Sequence, residues 1–105
     1  MITCERIVNL SLLVLLTSCV SMTTPHENFK SHMKFHIGMK FNSYSSYLTR
    51  YPTRVGKEKD LSNGNKEIEF TQGNDCQVWF EVDKNTSVII DWYFVGNEKT
   101  CRITP

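Results

Sequence analysis

The sequence has almost no surplus charge. Twelve Lys and Arg face eleven Asp and Glu, for a formal net charge of +1 at pH 7. The basic residues are scattered rather than striped, so nothing suggests a nucleic-acid surface. It also lacks a long apolar run. The stretch Ile7 to Leu16 is interrupted by Asn9 and Ser11, and a helical bilayer span needs about 20 residues. A permanent transmembrane anchor is therefore the weaker reading of that stretch. Motifs that carry chemistry are missing too. There is no C-x-x-C redox pair, no H-E-x-x-H, no G-x-S-x-G turn and no glycine spacing for a phosphate loop. We expect no enzyme and no cofactor.

What is present begins at the amino terminus. Met1 to Arg6 is short, polar and weakly positive, because the free amine and Arg6 outweigh Glu5. The apolar run follows, and small residues come after it. A charged start, an apolar centre of roughly 7–15 residues and small residues before a cut form the signal-peptide pattern. The run ends in Leu16-Thr17-Ser18-Cys19, which resembles the bacterial lipobox: an aliphatic residue, two small ones, then cysteine. The resemblance implies a diacylglycerol on the Cys19 sulfur, cleavage before Cys19 and acylation of the new amine. Several acyl chains suffice for stable anchoring, at about 0.8 kcal/mol per buried methylene. Val20 follows the cysteine, where an aspartate would signal inner-membrane retention. The resemblance thus implies the periplasmic face of the outer membrane of a Gram-negative cell. The expected division is residues 1–18 signal peptide, 19–24 lipidated tether and 25–105 one small domain.

A domain this small buries limited apolar area and often needs a staple. Of the four cysteines, Cys4 leaves with the signal and Cys19 carries lipid. Cys76 and Cys101 remain, an even pair in an oxidising compartment, and a disulfide between them is the default reading.

Local signals predict two helices and three strands. Thr24, Pro25 and Glu27 make a capping box with proline at the first helical position. Phe29, His32, Met33, His36 and Ile37 then form a helical stripe, and Gly38 stops it. A second helix is expected over Ser43 to Tyr51, capped by Asn42, striped by Tyr44, Tyr47, Leu48 and Tyr51, and ended by Pro52. Thr53 to Asn65 reads as an exposed loop closing on Asn63-Gly64. Alternation then predicts strands over Lys66–Gln72, Cys76–Asp83 and Val88–Val95, with turns at Gln72–Asp75 and Lys84–Thr86. Pairing Gln72 with Cys76 brings Phe70 to Val78 and Ile68 to Phe80. Pairing Val82 with Val88 brings Phe80 to Ile90, Val78 to Trp92 and Cys76 to Phe94. Both hairpins then share one apolar face. The expected fold is α+β, two N-terminal helices packed on one face of a three-stranded antiparallel β-meander. Gly96-Asn97-Glu98 should turn the chain so that Cys101 reaches Cys76.

The Ile37-Gly38-Met39 stretch before the second helix, Pro52 after it, and the strand series behind a lipobox resemble the SmpA/BamE group of small outer-membrane lipoproteins. The same α-α-β-β-β unit occurs in β-lactamase inhibitor proteins. Val78–Asp83 and Ile90-Asp91-Trp92 are also similar to small two-cysteine lipoproteins. The group's role implies a protein partner in the cell envelope.

No catalytic constellation accompanies this plan. His32 and His36, one helical turn apart, can grip a metal only with further ligands, and none is apparent. The outer sheet face is expected to carry Glu67, Glu69, Gln77, Trp79, Glu81, Ile89, Asp91 and Tyr93. Trp79, Ile89 and Tyr93 are the candidate partner surface, since exposed aromatics grouped with apolar residues mark interaction sites. The alternative is that the chain after Cys101, or the 53–65 loop, covers them. The favoured function is a membrane-anchored, non-catalytic interaction module facing the periplasm. An inhibitor or immunity protein for a periplasmic enzyme, and a metal or small-ligand binder, are the competing classes.

Overall fold

The structure, a computed structural model, describes residues 23–104; the expected signal segment and Cys19 lie outside the described residues. Helix α1 spans Pro25–Lys34, and its start follows from the capping box. The Thr24 hydroxyl accepts the Glu27 N–H at 3.1 Å, while the Thr24 N–H donates to the Glu27 carboxylate at 3.4 Å. The helix ends at a Phe35 cap, short of Gly38. Gly38 still serves the turn that follows, with φ of +95°, in the left-handed region that favours glycine. Phe29, Met33 and His36 are buried along the expected stripe, whereas Ile37 is exposed.

The second expected helix shrinks to one turn, α2, Tyr47–Arg50. Ser46, not Asn42, caps it: its backbone is extended and its hydroxyl accepts the Leu48 N–H at 3.1 Å. The serine-rich stretch before it makes turns instead, with Ser46 N–H donating to the Ser43 carbonyl at 3.1 Å. The Ser46 hydroxyl, by accepting the Leu48 N–H, competes for a backbone group and starts the helix at Tyr47. A single 3-10 turn, Pro52–Arg54, follows.

The sheet has four strands, not three: β1 Val55–Asp60, β2 Lys66–Gly73, β3 Cys76–Val82 and β4 Ile89–Val95, in the order β1-β2-β3-β4 and all antiparallel. The fold is therefore α+β with one full helix on a four-stranded sheet, and the two-helix, three-strand plan is corrected. The added strand lies within the expected exposed loop. Its sequence is Val-Gly-Lys-Glu-Lys-Asp, and only Val55 is partly buried. A charged, solvated edge gives no apolar alternation to read, and charge on an edge strand discourages pairing with other chains.

The β2–β3 register holds over its length, with Phe70 opposite Val78 and Ile68 opposite Phe80, but next to the turn the register shifts and Cys76 faces Gly73 instead of the expected Gln72. The β3–β4 register differs by two residues: Val78 faces Phe94 and Phe80 faces Trp92. At the far end Glu81 faces Asp91 but Val82 faces Ile89, so Ile90 is an extra residue in β4. This bulge reverses the expected sides of two neighbours. Ile89 enters the core at 0% exposure, and Ile90 is 44% exposed. The bulge predicts unequal costs for matched truncations. Ile89→Ala should lower stability by about 2–5 kcal/mol, and Ile90→Ala by no more than about 0.5. Urea unfolding of the two proteins measures both, and equal costs would refute the bulged register.

The core joins Ile68, Phe70, Val78, Phe80, Val82 and Ile89 of the sheet to Phe29, Met33 and Leu48. Cys76 and Cys101 are disulfide-bonded within it, with Cα atoms 5.2 Å apart. Gly96 makes the return turn, and a β-carbon there would press on the Cys101 sulfur and the Asp75 carbonyl. Beyond the bond the chain is sewn to the start of α1. Ile103 N–H donates to the Pro25 carbonyl at 2.9 Å, and the Asn28 side chain to the Ile103 carbonyl at 3.0 Å. His26 Nδ1 lies 2.8 Å from the Cys101 carbonyl, which can only accept, so this nitrogen carries the proton.

Candidate functional site

The three residues expected to form a partner surface do not share one. Ile89 is core. Trp79 does lie on the outer face, directly opposite Glu69 and Tyr93 rather than the expected Asp91, yet it is only 9% exposed. The 53–65 segment supplies its cover, as expected of the alternative, but as a strand and not as a loop. The Lys59 ammonium, carried by β1, sits 4.2 Å from its ring centroid. Glu67 holds Lys59 at 3.5 Å and accepts the Tyr93 hydroxyl at 3.3 Å. Desolvation tends to lower the Lys59 pKa, but bonds and charge from Tyr93 and Glu67 outweigh it and raise the group above its ordinary value. The outer face is thus a closed cluster of Lys59, Glu67, Trp79 and Tyr93 whose polar groups serve one another. Strand β1 was needed to see this, since it supplies the cation that covers the indole.

The histidines stand apart in their roles. His36 is buried, and its Nδ1 bonds to the His32 carbonyl at 2.9 Å, so it donates there. Its Nε2 accepts the Tyr47 N–H at 3.0 Å. Both ring nitrogens are used, the neutral form is fixed, and no lone pair remains for a metal. His32 Nδ1 is engaged with the Tyr47 hydroxyl at 2.8 Å. Among the described residues no group of three or more His, Cys, Asp or Glu is placed to hold an ion.

A different surface opens where α1 and α2 meet. A groove of about 460 Å³ is lined by Asn28, Ser31, His32, Phe35, Tyr47 and Arg50, among others. Among the described residues none of its lining side chains is acidic. Phe35 stands on its rim, 74% exposed, and Tyr44, in the loop leading to α2, is 87% exposed. Phe35 keeps helical dihedrals and donates its N–H to the Ser31 carbonyl at 3.0 Å, and it lies outside the Phe29–Met33–His36 stripe, on the side of α1 turned from the core. The sequence marked Tyr44 as part of a buried stripe. The late start of α2, at Tyr47, leaves it in solvent.

Compared with known proteins, the chain matches no family model, no curated protein and no solved structure.

Proposed function

We propose that this chain is a lipid-anchored envelope protein, held at the periplasmic face of the outer membrane through Cys19, that works as a non-catalytic protein-interaction module. Anchoring rests on the Leu16-Thr17-Ser18-Cys19 box. The buried Cys76–Cys101 disulfide supports an oxidising compartment. Among the described residues no helix is long and apolar enough to cross a membrane. The helix pair that prompted the likeness to small assembly lipoproteins is not part of the fold, so the proposal does not lean on that likeness.

The observation that carries the interaction reading is the exposure of Phe35 and Tyr44 beside the α1–α2 groove. Large exposed aromatics are among the side chains most enriched in binding hot spots. A photo-reactive phenylalanine analogue at position 35 or 44 should crosslink to one envelope protein in living cells, while the same analogue at exposed Asn85 should not. Cys19→Ala should abolish labelling by a fatty-acid analogue and weaken the crosslink by removing the protein from its membrane. Unchanged labelling would sink the anchor. Equal crosslinking from all three positions would sink the surface. Recovery of a hydrolase in the crosslinked product would favour the inhibitor class instead.

A further inference from the structure

The two edges of the sheet are built differently. Strand β1 presents Lys57, Glu58, Lys59 and Asp60 and carries a bulge, the usual protections of an edge. Strand β4 ends in Trp92-Tyr93-Phe94-Val95, without a charge. Only its beginning is covered. Gly38 N–H donates to the Ile89 carbonyl and Ile89 N–H to the Met39 carbonyl, each at 2.8 Å. At Gly38 the chain turns away into α1, and the cover stops.

Past that point the backbone of β4 is open. Trp92 N–H lies outside the β3 ladder, because it donates to the neighbouring Asp91 carboxylate at 2.8 Å. Antiparallel ladders use alternate residues, so Phe94 N–H and the Trp92 and Phe94 carbonyls face the same free side. Among the described residues no hydrogen bond beyond the β3 ladder reaches them.

Helix α1 overhangs this edge. Glu27, Lys30, Ser31 and Lys34 line a cleft of about 400 Å³ together with Trp92, and the Phe29 ring meets the Trp92 ring edge-on at 6.0 Å. Glu27 is turned to its capping bond. Neither Lys30 nor Lys34 takes part in the ion pairs formed among the described residues. The slot therefore offers unpaired backbone on one wall and two free cations on the other. Tyr93 and Val95 lie exposed on the opposite face of the same strand.

We propose that the β4 edge beneath α1 binds an extended acidic segment of a partner protein as a fifth strand. Strand addition takes its affinity from main-chain bonds and its specificity from alternate side chains. Here one set of side chains faces Lys30 and Lys34 and the other lies beside Tyr93 and Val95. The segment should therefore alternate acidic and apolar residues. A second copy of this chain fits worse, since edge-to-edge pairing would bring the Lys30 and Lys34 faces of two α1 helices together. The proposal does not depend on the lipid anchor and uses the other flank of α1 from the Phe35 groove.

The test uses a fluorescent octapeptide alternating valine and glutamate, its valine–lysine counterpart, and the disulfide-bonded protein. Fluorescence anisotropy should show saturable binding of the glutamate peptide, about tenfold tighter than the lysine peptide. N-methylation of Phe94, introduced by ligating a synthetic Cys76–Pro105 segment at Cys76, removes one donor and keeps the side chain. It should weaken binding by about tenfold, the effect of one lost hydrogen bond. Lys30→Glu combined with Lys34→Glu should reverse the peptide preference, and this variant decides the matter alone if the N-methylated protein fails to fold. Absence of saturable binding, binding indifferent to N-methylation in a folded protein, or a preference unchanged by the charge reversal would each overturn the proposal. So would a concentration-dependent dimer that N-methylation abolishes, which would assign the edge to a second copy.

Discussion

Cys101→Ser is expected to lower the unfolding free energy by roughly 3.5 kcal/mol, within the usual range of about 2–5 for small disulfide-stapled domains. The bond spans 25 residues, and that loop length sets the estimate in the chain-entropy account. The loss should not stop at entropy. Cys101 is buried beside Cys76 in the core, its carbonyl holds His26, and Ile103 after it holds Pro25 and Asn28 of α1. Amide exchange in the first turn of α1 should therefore rise more than exchange in β2. Urea unfolding and hydrogen exchange of the serine variant measure the two effects. A wild-type midpoint would show that the bond contributes little.

The second large effect belongs to His36. His36→Leu keeps an apolar side chain in the cavity but orphans the Tyr47 N–H and releases the His32 carbonyl. A buried donor left without a partner costs about 1–3 kcal/mol, and lost packing against Phe80 and Tyr47 adds to it, so a total of about 2–4 kcal/mol is expected. The wild-type histidine should also leave a pH signature. Burial lowers its pKa below 6.5; the bond to His32 opposes this, and the charges of His32 and Arg50 reinforce it. The unfolded chain thus takes up a proton at a higher pH than the folded one. Between the two pKa values the unfolded state binds more protons, so stability rises with pH. The contribution is complete above about 6.5 and is lost as the pH falls through the folded value. Unfolding midpoints across this range should slope for the wild type and flatten for His36→Leu. Parallel curves would show that another group sets the slope.

The parts of this fold that could be read from sequence are those where several signals agree. The start of α1 was legible because Thr24, Pro25 and Glu27 each favour the same helix start. The β2–β3 register was legible because Ile68, Phe70, Val78 and Phe80 alternate on both strands, and a one-residue slip would turn them to solvent. Strand β4 shows the limit. Its Ile89-Ile90 pair offers two apolar residues for one inward position, and the sequence does not say which is the bulge. Choosing Ile90 shifted every partner beyond it by two, a change that keeps the faces intact and so cannot be detected from patterning. Strand β1 was invisible for a different reason: it is held by its backbone and by cross-strand charge, and neither leaves a hydrophobic period. The complementary signs of Lys59 and Glu67 were its trace.

The candidate surface was less legible than the fold. Trp79 sat on the expected face, but its cover came from a strand that patterning had missed. Tyr44 was assigned to a helical stripe, and its exposure follows from where α2 starts. Helix ends are decided by side-chain competition over a few residues, here by the Ser46 hydroxyl that accepts the Leu48 N–H. Phe35 lay beside the α1 stripe, and the stripe itself gave no sign that its ring would border a groove.

The bonds that tie Cys101 and Ile103 to Pro25, His26 and Asn28 also fix an order of events during biosynthesis. Two of them join residues 75 positions apart, so they close a loop that takes in nearly the whole domain. A chain that emerges amino terminus first can form the β2–β3 hairpin as soon as its strands are free. Helix α1, although made before any strand, meets its ring partners Trp92 and Phe94 only with β4, and the hydrogen bonds of its first turn only when the last few residues have appeared. The earliest element of the domain is thus the last to be secured, and a chain stalled a few residues short of its end would lack the bonds that pin Pro25, His26 and Asn28.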